Sequence, residues 1–143
     1  MINIKRLTPT AVIPEAQTSG SAGADLHACI NEPIVIHPNM TAKIPTGIAM
    51  EIPCGYGGFV FARSGLATKQ GVAPANKVGV IDSDYRGEIM VALHNHSNET
   101  CKIEPNQRIA QIVIMPIMTP IFNEVDNLDS TDRADGGFGS TGK

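Results

Sequence analysis

The sequence has no excess of basic residues and no long apolar run. Eleven Lys and Arg residues against fourteen Asp and Glu residues give a formal net charge of -3, which argues against a surface that coats nucleic acid, since such a surface needs a basic patch. No apolar run approaches the roughly 18 residues that a membrane-spanning helix needs, and Met1–Arg6 lacks the layout of a signal peptide. We therefore expect no nucleic-acid partner and no membrane partner, and any anionic ligand must be held by a few local cations.

Cysteines are also too few for a cross-linked scaffold. Cys29, Cys54 and Cys101 are odd in number, widely spaced and flanked by apolar residues. They match neither a disulfide framework nor a zinc site. We expect buried thiols in a reducing compartment.

Short β-strand patterns occupy most of the chain, bounded by ten prolines and fourteen glycines. The clearest runs are residues 34–36, 47–52, 58–62, 88–93 and 108–114. Turn residues recur about every 8–12 residues, which is typical of a sandwich or barrel. One short helix is predicted over Ser64–Gln70, with Ser64 as its cap. The sequence thus predicts an all-β fold, such as a jelly-roll type β-barrel, in a single domain.

The apolar pattern fades after Pro120, so we divide the chain into a β-barrel body, residues 1–120, and a flexible C-terminal arm, residues 121–143. The arm begins with a polar stretch over residues 123–132. A segment of this length, followed by a binding loop, can reach another subunit.

The tail, Arg133–Lys143, carries four glycines, two hydroxyls, two cations and one aromatic. Glycines let successive backbone N–H groups form a concave anion-binding nest, and Arg133 can clamp a phosphate. Phe138 adds a flat apolar surface, so the tail predicts a nucleotide ligand. The G-x-x-x-x-G-K spelling is not a P-loop, because no strand precedes it and no helix follows. A disordered Gly/Ser-rich terminus is the alternative.

Four further clusters could carry chemistry. A carboxylate, Asp25, interrupts the apolar run Ala22–His27, and a cation and a hydroxyl precede the predicted helix in Ala62–Leu66. A helix N-terminus of this kind binds phosphate. Asn76–Gly87 is the richest cluster, and Arg108–Gln111 is the fourth.

Some of these side chains leave a metal site open as an alternative. Asp82 and Asp84 would share a face if they lay in a strand, although acidic residues also cap hairpin turns. His94 and His96 place two imidazoles on one face, but no third ligand is near in the sequence. A calcium loop is hinted at by aspartates every three residues, with its glycine and terminal glutamate misplaced: Asp126, Asp129, Asp132 and Asp135.

In order and spacing, the five clusters resemble the five motifs of the trimeric deoxyuridine triphosphate nucleotidohydrolases, the dUTPases. The matching segments are Ala22–Leu26, Arg63–Leu66, Gly79–Gly87, Arg108–Gln111 and Arg133–Gly142. The resemblance implies a jelly-roll type β-barrel and a homotrimer with three shared active sites, in which the arm carries the tail to a neighbour. Asn106 and Gln107 replace a frequent glycine and acid, and Ala134 replaces a frequent glycine.

The resemblance also implies a reaction: hydrolysis of dUTP to dUMP and pyrophosphate by water attack on the α-phosphorus. This would keep uracil out of DNA and supply dUMP for dTMP synthesis, in the cytoplasm or in a host-cell interior if the source is viral. Asp82 would orient and activate the water. Mg²⁺ would bridge the phosphates, largely water-coordinated, and Asp25 would touch that shell through water or orient a neighbouring arginine. The residues expected to hold phosphate are Arg63, Ser64, Gly65, Gln111, Arg133, Gly139, Ser140 and Thr141.

Base and sugar selection would use the third motif. A β-hairpin backbone from Asn76 to Ile81, with Gly79 and Val80, would offer donors and acceptors that complement uracil, and cytosine would leave buried groups unpaired. Tyr85 would lie under the deoxyribose, and Phe138 would stack on the base. Two rivals remain: a dCTP deaminase, which needs a further acid/base, and a nucleotide-binding jelly roll without turnover, which has no use for Asp82.

Overall fold

Eleven short strands and one helix form the part of the chain that the structure describes, residues 1–136 of a computed structural model. In chain order they are β1 Asn3–Arg6, β2 Ala24–His27, β3 Ile34–Ile36, β4 Thr41–Pro45, β5 Ile48–Glu51, β6 Tyr56–Ala62, α1 Ser64–Gln70, β7 Val72–Pro74, β8 Gly79–Ile81, β9 Met90–Asn95, β10 Cys101–Ile103 and β11 Arg108–Pro116. The all-β prediction with one short helix is confirmed.

Every strand pairing in this part of the chain is antiparallel. The largest sheet has the order β2-β11-β6-β8, a second has the order β4-β9-β7, and β1-β5 and β3-β10 form two-stranded sheets. This arrangement agrees with a jelly-roll type fold. Among residues 1–136, however, the ladders remain four separate sheets and do not close into one continuous barrel.

Alternating side chains of the strands build one core between the sheets. In β9, Val91 and Leu93 are buried while Met90 faces out, as the two-residue period of a strand requires. Burying one such aliphatic side chain contributes about 1.5–3 kcal/mol. The fully buried aliphatic side chains come from most of the elements: Leu26, Ile36, Ile44, Ile48, Val72, Ile89, Val91, Leu93, Ile103 and Ile109.

Helix α1 spans the predicted residues, but its start differs from the prediction. Arg63 is the N-cap, in an extended conformation, and no side chain caps the helix. Ser64 is already the first helical residue, so the prediction of a Ser64 cap was wrong. Gly71 ends the helix in the left-handed conformation at φ 67°, which a glycine adopts without steric cost.

The segment after the helix also differs from the prediction. Strand β7 pairs with β9, whereas β8 pairs with β6. The turn between them, in which Lys77 has φ 66°, therefore crosses from one sheet to another. The expected β-hairpin from Asn76 to Ile81 is absent as a ladder from the described chain, because its two flanking strands belong to different sheets.

The three cysteines, all within residues 1–136, are free thiols in three different environments. Cys101 is buried, Cys29 is half-buried and Cys54 is exposed. The expectation of buried thiols was therefore wrong for Cys54, which lies in the turn that precedes β6. Burial raises the pKa of the Cys101 thiol, because the charged thiolate is disfavoured away from water.

The end of the described chain has no regular structure. The last strand stops at Pro116, and residues 121–136 contain neither helix nor strand. Ile121, Phe122 and Leu128 are 97%, 91% and 88% exposed. Within residues 1–136, no helix has the length and apolar character to cross a membrane.

Candidate active site

Strand β11 brings the first, second and fourth motifs together. Gln111 of β11 lies opposite Asp25 of β2 and, on its other side, opposite Phe61 of β6. Arg63 follows directly after β6, and Arg108 opens β11. Three segments that are far apart in the sequence thus meet at one end of the four-stranded sheet.

Asp25 connects two arginines at this end of the sheet. Its side chain is only 9% exposed. The Arg63 Nε donates to Asp25 Oδ1 at 2.7 Å, and an Arg108 terminal nitrogen donates to Asp25 Oδ2 at 3.3 Å. A buried carboxylate is costly unless it is paired in this way. Arg108 was named from the sequence as part of the fourth motif, but no role was predicted for it. Its positive charge at the start of a predicted strand was the feature that could have indicated a partner for Asp25.

The Arg63–Asp25 bond leaves most of the guanidinium for a ligand. Only Nε is used, and the terminal N–H groups of Arg63 donate no hydrogen bond to the described residues. A guanidinium carries five N–H donors, so the remaining four can bind phosphate oxygens. Asp25 thus holds the stem of the arginine while its planar end stays available.

These residues line a surface recess of about 300 Å³, which we call the phosphate pocket. Gln111 is fixed there because its Nε2 donates to the Ala62 carbonyl at 3.0 Å. Gly23 leaves the room that Gln111 needs, since a Cβ at this position would lie 2.8 Å from Gln111 Oε1. The lining residues are Gln17, Ser21, Ala22, Gly23, Asp25, Arg63, Ser64 and Gln111.

His27, two residues beyond Asp25, stays neutral more readily than an exposed histidine. Its Nδ1 is buried and has no hydrogen-bond partner in residues 1–136. Burial lowers the pKa of His27, and the positive charges of Arg108 and Arg63 lower it further, although the Asp25 carboxylate acts in the opposite direction. The positive charge around Asp25 therefore lies on Arg63 and Arg108 rather than on the imidazole.

The third motif forms a second recess of about 290 Å³, which we call the turn pocket. Asp82 lies directly after β8 and opens a turn in which the Tyr85 N–H donates to the Asp82 carbonyl at 3.2 Å. Asp82 and Asp84 therefore lie in a turn and not on one face of a strand. The lining residues are Lys43, Val80, Ile81, Asp82, Tyr85, Glu88, Met90 and Ala92.

Local hydrogen bonds hold the turn that carries Asp82 and Tyr85. The Tyr85 hydroxyl donates to the Glu88 carbonyl at 2.9 Å. Arg86 donates from one terminal nitrogen to the Ser83 carbonyl at 2.6 Å and to the Tyr85 carbonyl at 3.1 Å. Gly87 is required beneath the ring, because a Cβ there would lie 2.4 Å from the Tyr85 hydroxyl oxygen.

The predicted base-reading residues lie in the crossing turn and in β8. Asn76 is exposed in the crossing turn, Gly79 is buried and Val80 is 61% exposed. Gly79 is packed tightly, since a Cβ there would lie 3.2 Å from Val60 Cβ and 3.4 Å from Asn76 Nδ2. The Asn76 amide makes no side-chain hydrogen bond to the described residues, so its donor and acceptor groups are available.

The two pockets share no lining residue. Gly58 and Val60 of β6 pair with Ile81 and Gly79 of β8, so one further step of the ladder places Asp82 opposite Gly57. Arg63 is six residues farther along the chain, a backbone separation of roughly 20 Å at about 3.3 Å per residue. The structure therefore brings Asp25, Arg63, Ser64 and Gln111 together, and Asp82 with Tyr85, but leaves the two groups apart.

The tail is described only as far as Gly136. Arg133 lies in a turn and its Nε donates to the Gly136 carbonyl at 2.8 Å. Ala134 has φ 44°, a left-handed conformation in which glycine is favoured. The predicted site residues Phe138, Gly139, Ser140 and Thr141 lie outside the described residues.

Among residues 1–136 no three His, Cys, Asp or Glu side chains are grouped as metal ligands. The rings of His94 and His96 are tilted by 60° to one another with centroids 4.4 Å apart, and His94 Nδ1 is hydrogen-bonded to Thr41. Asp25 uses one hydrogen bond on each oxygen, and a carboxylate has about four lone-pair sites. Its donor set thus fits a contact to a hydrated magnesium ion through water, and does not provide a cage of protein ligands.

Comparison with known proteins gives one consistent result. The family model described as dUTPase matches residues 10–142. A deoxyuridine 5'-triphosphate nucleotidohydrolase of Desulfitobacterium hafniense (strain DSM 10664 / DCB-2) is 53% identical over 131 residues, which cover 91% of this chain and 87% of the relative. A protein of the same name from Nautilia profundicola is 49% identical over 142 residues, which cover 99% of each chain.

Solved structures agree with the sequence relatives. The dUTPase of Staphylococcus bacteriophage 80alpha with dUpNHpp superposes with a TM-score of 0.90 at 30% identity, covering 100% of this chain and 99% of that one. A variant dUTPase of phage phi11 of S. aureus, whose structure describes the coordination of a structural Mg(II) ion, has a TM-score of 0.80 at 27% identity, covering 89% and 97%.

Proposed function

Because this chain belongs to the dUTPase family and is a dUTP-hydrolysing enzyme, we propose that it forms dUMP and pyrophosphate by attack of water on the α-phosphorus. The observation that carries the mechanism is the turn pocket, in which Asp82 stands beside Tyr85. A carboxylate next to a nucleoside-sized recess can act on a water without also having to bind phosphate.

Asp82 is the proposed general base. Its carboxylate can accept a proton from water within hydrogen-bond reach and orient that water toward phosphorus. The turn bonds around Asp82 hold its backbone in place before substrate binds.

The phosphate pocket is the proposed site of charge neutralisation. Arg63 would donate its terminal N–H groups to phosphate oxygens, while Ser64, Gly65 and Gln111 complete the cradle. Phosphoryl transfer depends chiefly on positioning and on neutralising charge at these oxygens. Asp25 keeps Arg63 in position, so the pocket is arranged before the nucleotide arrives.

Magnesium fits this arrangement as a hydrated ion near Asp25, where it would neutralise phosphate charge when bound. Arg133, Gly139, Ser140 and Thr141 would bind the phosphates from the tail and exclude water from the reaction.

Asn76, Gly79, Val80 and Ile81 would read uracil. The Asn76 amide offers a donor and an acceptor, and the backbone next to β8 offers further groups. Tyr85 would pack against the deoxyribose, and Phe138 would stack on the base. A base that leaves buried groups unpaired is rejected by as much as about 10⁴–10⁵.

A homotrimer with shared sites would bring a phosphate pocket and a turn pocket together in one active site. Two side chains that serve one phosphoryl group must each come within about 3 Å of its atoms or of the attacking water. Neither Asp82 nor Arg63 can extend across the separation along β6, which supports the proposal that the two pockets of one site come from different subunits. The exposed apolar residues of the arm, such as Ile121 and Phe122, support the proposal that the arm packs on a neighbour.

In the cell this activity would keep uracil out of DNA and supply dUMP for dTMP synthesis, in the cytoplasm or in a host-cell interior. The direct test is pyrophosphate release from dUTP, dCTP, dTTP and UTP with Mg²⁺. We expect turnover of dUTP alone. Ammonia release from dCTP would instead indicate a deaminase, and binding without pyrophosphate release would indicate a non-catalytic nucleotide-binding protein.

A further inference from the structure

Glu88 connects the turn pocket to a distant part of the body. The residue follows Gly87 directly and is partly buried, and its Oε1 accepts a hydrogen bond from the Gly47 N–H at 2.7 Å. Gly47 lies 41 residues away in the sequence, in the turn between β4 and β5. A charged acceptor makes this bond roughly twice as strong as one between neutral groups.

The Gly47 N–H is a rigid anchor. Gly47 has φ 69°, and a Cβ there would lie 2.7 Å from Cys29 Sγ and 2.8 Å from Ala11 Cβ. The Gly47 carbonyl accepts a hydrogen bond from the Leu7 N–H at 2.8 Å. Because Gly47 is closely packed against Cys29 and Ala11 and its carbonyl is hydrogen-bonded, its position is fixed, and its N–H therefore fixes the Glu88 carboxylate.

The attachment continues past Glu88. The Ile89 N–H donates to the Ile48 carbonyl at 2.9 Å, and the buried Thr46 hydroxyl donates to the Ile89 carbonyl. Residues 88–89 are therefore fixed to residues 46–48 by three hydrogen bonds, of which only the Glu88 bond depends on a replaceable, partly exposed side chain.

Tyr85 rests on this attachment, because its hydroxyl donates to the Glu88 carbonyl. The bonds from Arg86 lie wholly within the turn. They set its shape. Arg86 also lies 3.9 Å from the Glu51 carboxylate of β5, but both side chains are more than half exposed, and an exposed ion pair contributes little to the position of the turn. The position is set at one end by β8 and at the other by residues 88–89. A shift of the Glu88 backbone would thus move the Tyr85 ring and, through the short turn, the Asp82 carboxylate.

We propose that Glu88 is a positioning residue for the reaction: its carboxylate ties the turn that carries Asp82 and Tyr85 to Gly47 and so sets the place of both side chains. This inference rests on the proposed roles of Asp82 and Tyr85 in dUTP hydrolysis. It assigns Glu88 no contact with the nucleotide.

Three substitutions separate the hydrogen bond from the charge. Glu88→Gln keeps an acceptor oxygen at the same distance, Glu88→Asp keeps the charge but is one methylene shorter, and Glu88→Ala removes both. Since a displacement of about 1 Å can cost roughly 10²-fold in rate, we expect kcat for dUTP to fall about 10- to 100-fold in the Ala and Asp variants. Glu88→Gln should keep kcat within about threefold of wild type, because the acceptor is retained. Glu99→Ala is the matched control, since the Glu99 carboxylate makes no hydrogen bond to residues 1–136.

A second readout needs no substrate. The chain has no tryptophan and two tyrosines, so in a Tyr56→Phe background the emission reports Tyr85 alone. Acrylamide quenching of that emission should increase in Glu88→Ala and Glu88→Asp, and match the background protein in Glu88→Gln. Failure of dUTP hydrolysis in the wild type would refute the proposed function without affecting this measurement.

The inference is overturned if the Ala and Asp variants, folded and with a lowered melting temperature, retain kcat and wild-type quenching, because Glu88 would then only stabilise the fold. It is equally overturned if Glu88→Gln loses as much turnover as Glu88→Asp. Should Glu88→Ala fail to fold, the comparison of the Asp and Gln variants decides the matter.

Discussion

The phosphate pocket and the turn pocket are built by different means. The phosphate pocket depends on side chains from three segments, joined by Asp25 to Arg63 and Arg108 over 38 and 83 residues of sequence. The turn pocket depends on bonds within residues 82–88, on three hydrogen bonds between residues 88–89 and residues 46–48, and on an exposed ion pair between Arg86 and Glu51. Charge pairing therefore shapes the first and local backbone geometry shapes the second, so each should respond to a different kind of mutation.

The largest effect should come from Asp82→Asn in the turn pocket. The amide cannot accept the proton from water, and loss of a general base costs about 10²–10⁴ in rate. The KM for dUTP should change little, since the phosphate pocket is untouched. Steady-state pyrophosphate release measures both quantities, and a near-normal kcat would remove Asp82 from the mechanism.

Mixing the two kinds of defect tests whether the pockets act across subunits. Asp82→Asn chains and Arg63→Ala chains should each be nearly inactive alone. After exchange at equal concentrations, each mixed trimer contains one intact turn pocket facing one intact phosphate pocket. About one quarter of the wild-type activity should then return, by counting arrangements in a cyclic trimer.

The controls for the mixing experiment are mass measurement of the exchanged species and a double-mutant chain, which should restore nothing when mixed with either single mutant. No recovery in chains shown to have exchanged would place both pockets of a working site in one subunit.

A smaller effect is expected for Asp25→Asn. Loss of the carboxylate weakens the charged hydrogen bonds to Arg63 and Arg108 and should lower the free energy of unfolding by about 1–3 kcal/mol. The KM for dUTP should rise, while the Asp82 carboxylate should still act on the attacking water. The pKa of His27 should fall further, because Asp25 is the charge that raises it. Denaturant unfolding and an NMR titration of the imidazole test this, and an increase in the His27 pKa would contradict the arrangement.

The smallest effect should follow Arg86→Ala. The Arg86 side chain is 53% exposed, and such hydrogen bonds contribute about 0.5–1.5 kcal/mol each. We therefore expect kcat to fall by no more than about tenfold, well short of the effect of Asp82→Asn. A loss as large as that of Asp82→Asn would mean that Arg86 takes part in the chemistry.

The sequence named several of the residues that line the two pockets, but it did not predict the contacts that hold those residues together. Asp82 and Tyr85 are close in the chain, so a local motif was sufficient to group them. Arg108 could not be paired with Asp25 from the sequence, because their contact depends on the register of β2 against β11, which shifts between Arg108 and Ala110. Long-range register is set by packing and not by neighbouring residues.

The local errors have a similar cause. A β-hairpin was predicted from Asn76 to Ile81, but the sequence contained nothing to say that the strands on either side of the turn would enter different sheets. Cys54 has apolar neighbours, yet it follows Pro53 in a turn, where apolar neighbours do not imply burial. The Ser64 prediction was one residue from the true cap, Arg63, since a hydroxyl at the start of a helix does not by itself define which residue adopts extended geometry.

The separation of the two pockets along β6 also has a genetic consequence. In the proposed trimer each subunit contributes one phosphate pocket and one turn pocket. A subunit with one defective pocket therefore disables one site in its trimer, and the loss of activity is proportional to the fraction of such subunits. A subunit with both pockets defective disables two sites, one with each neighbour. Two lesions carried on one allele are therefore more harmful to a mixed population than a single lesion, and their effect on the wild-type chains is partly dominant.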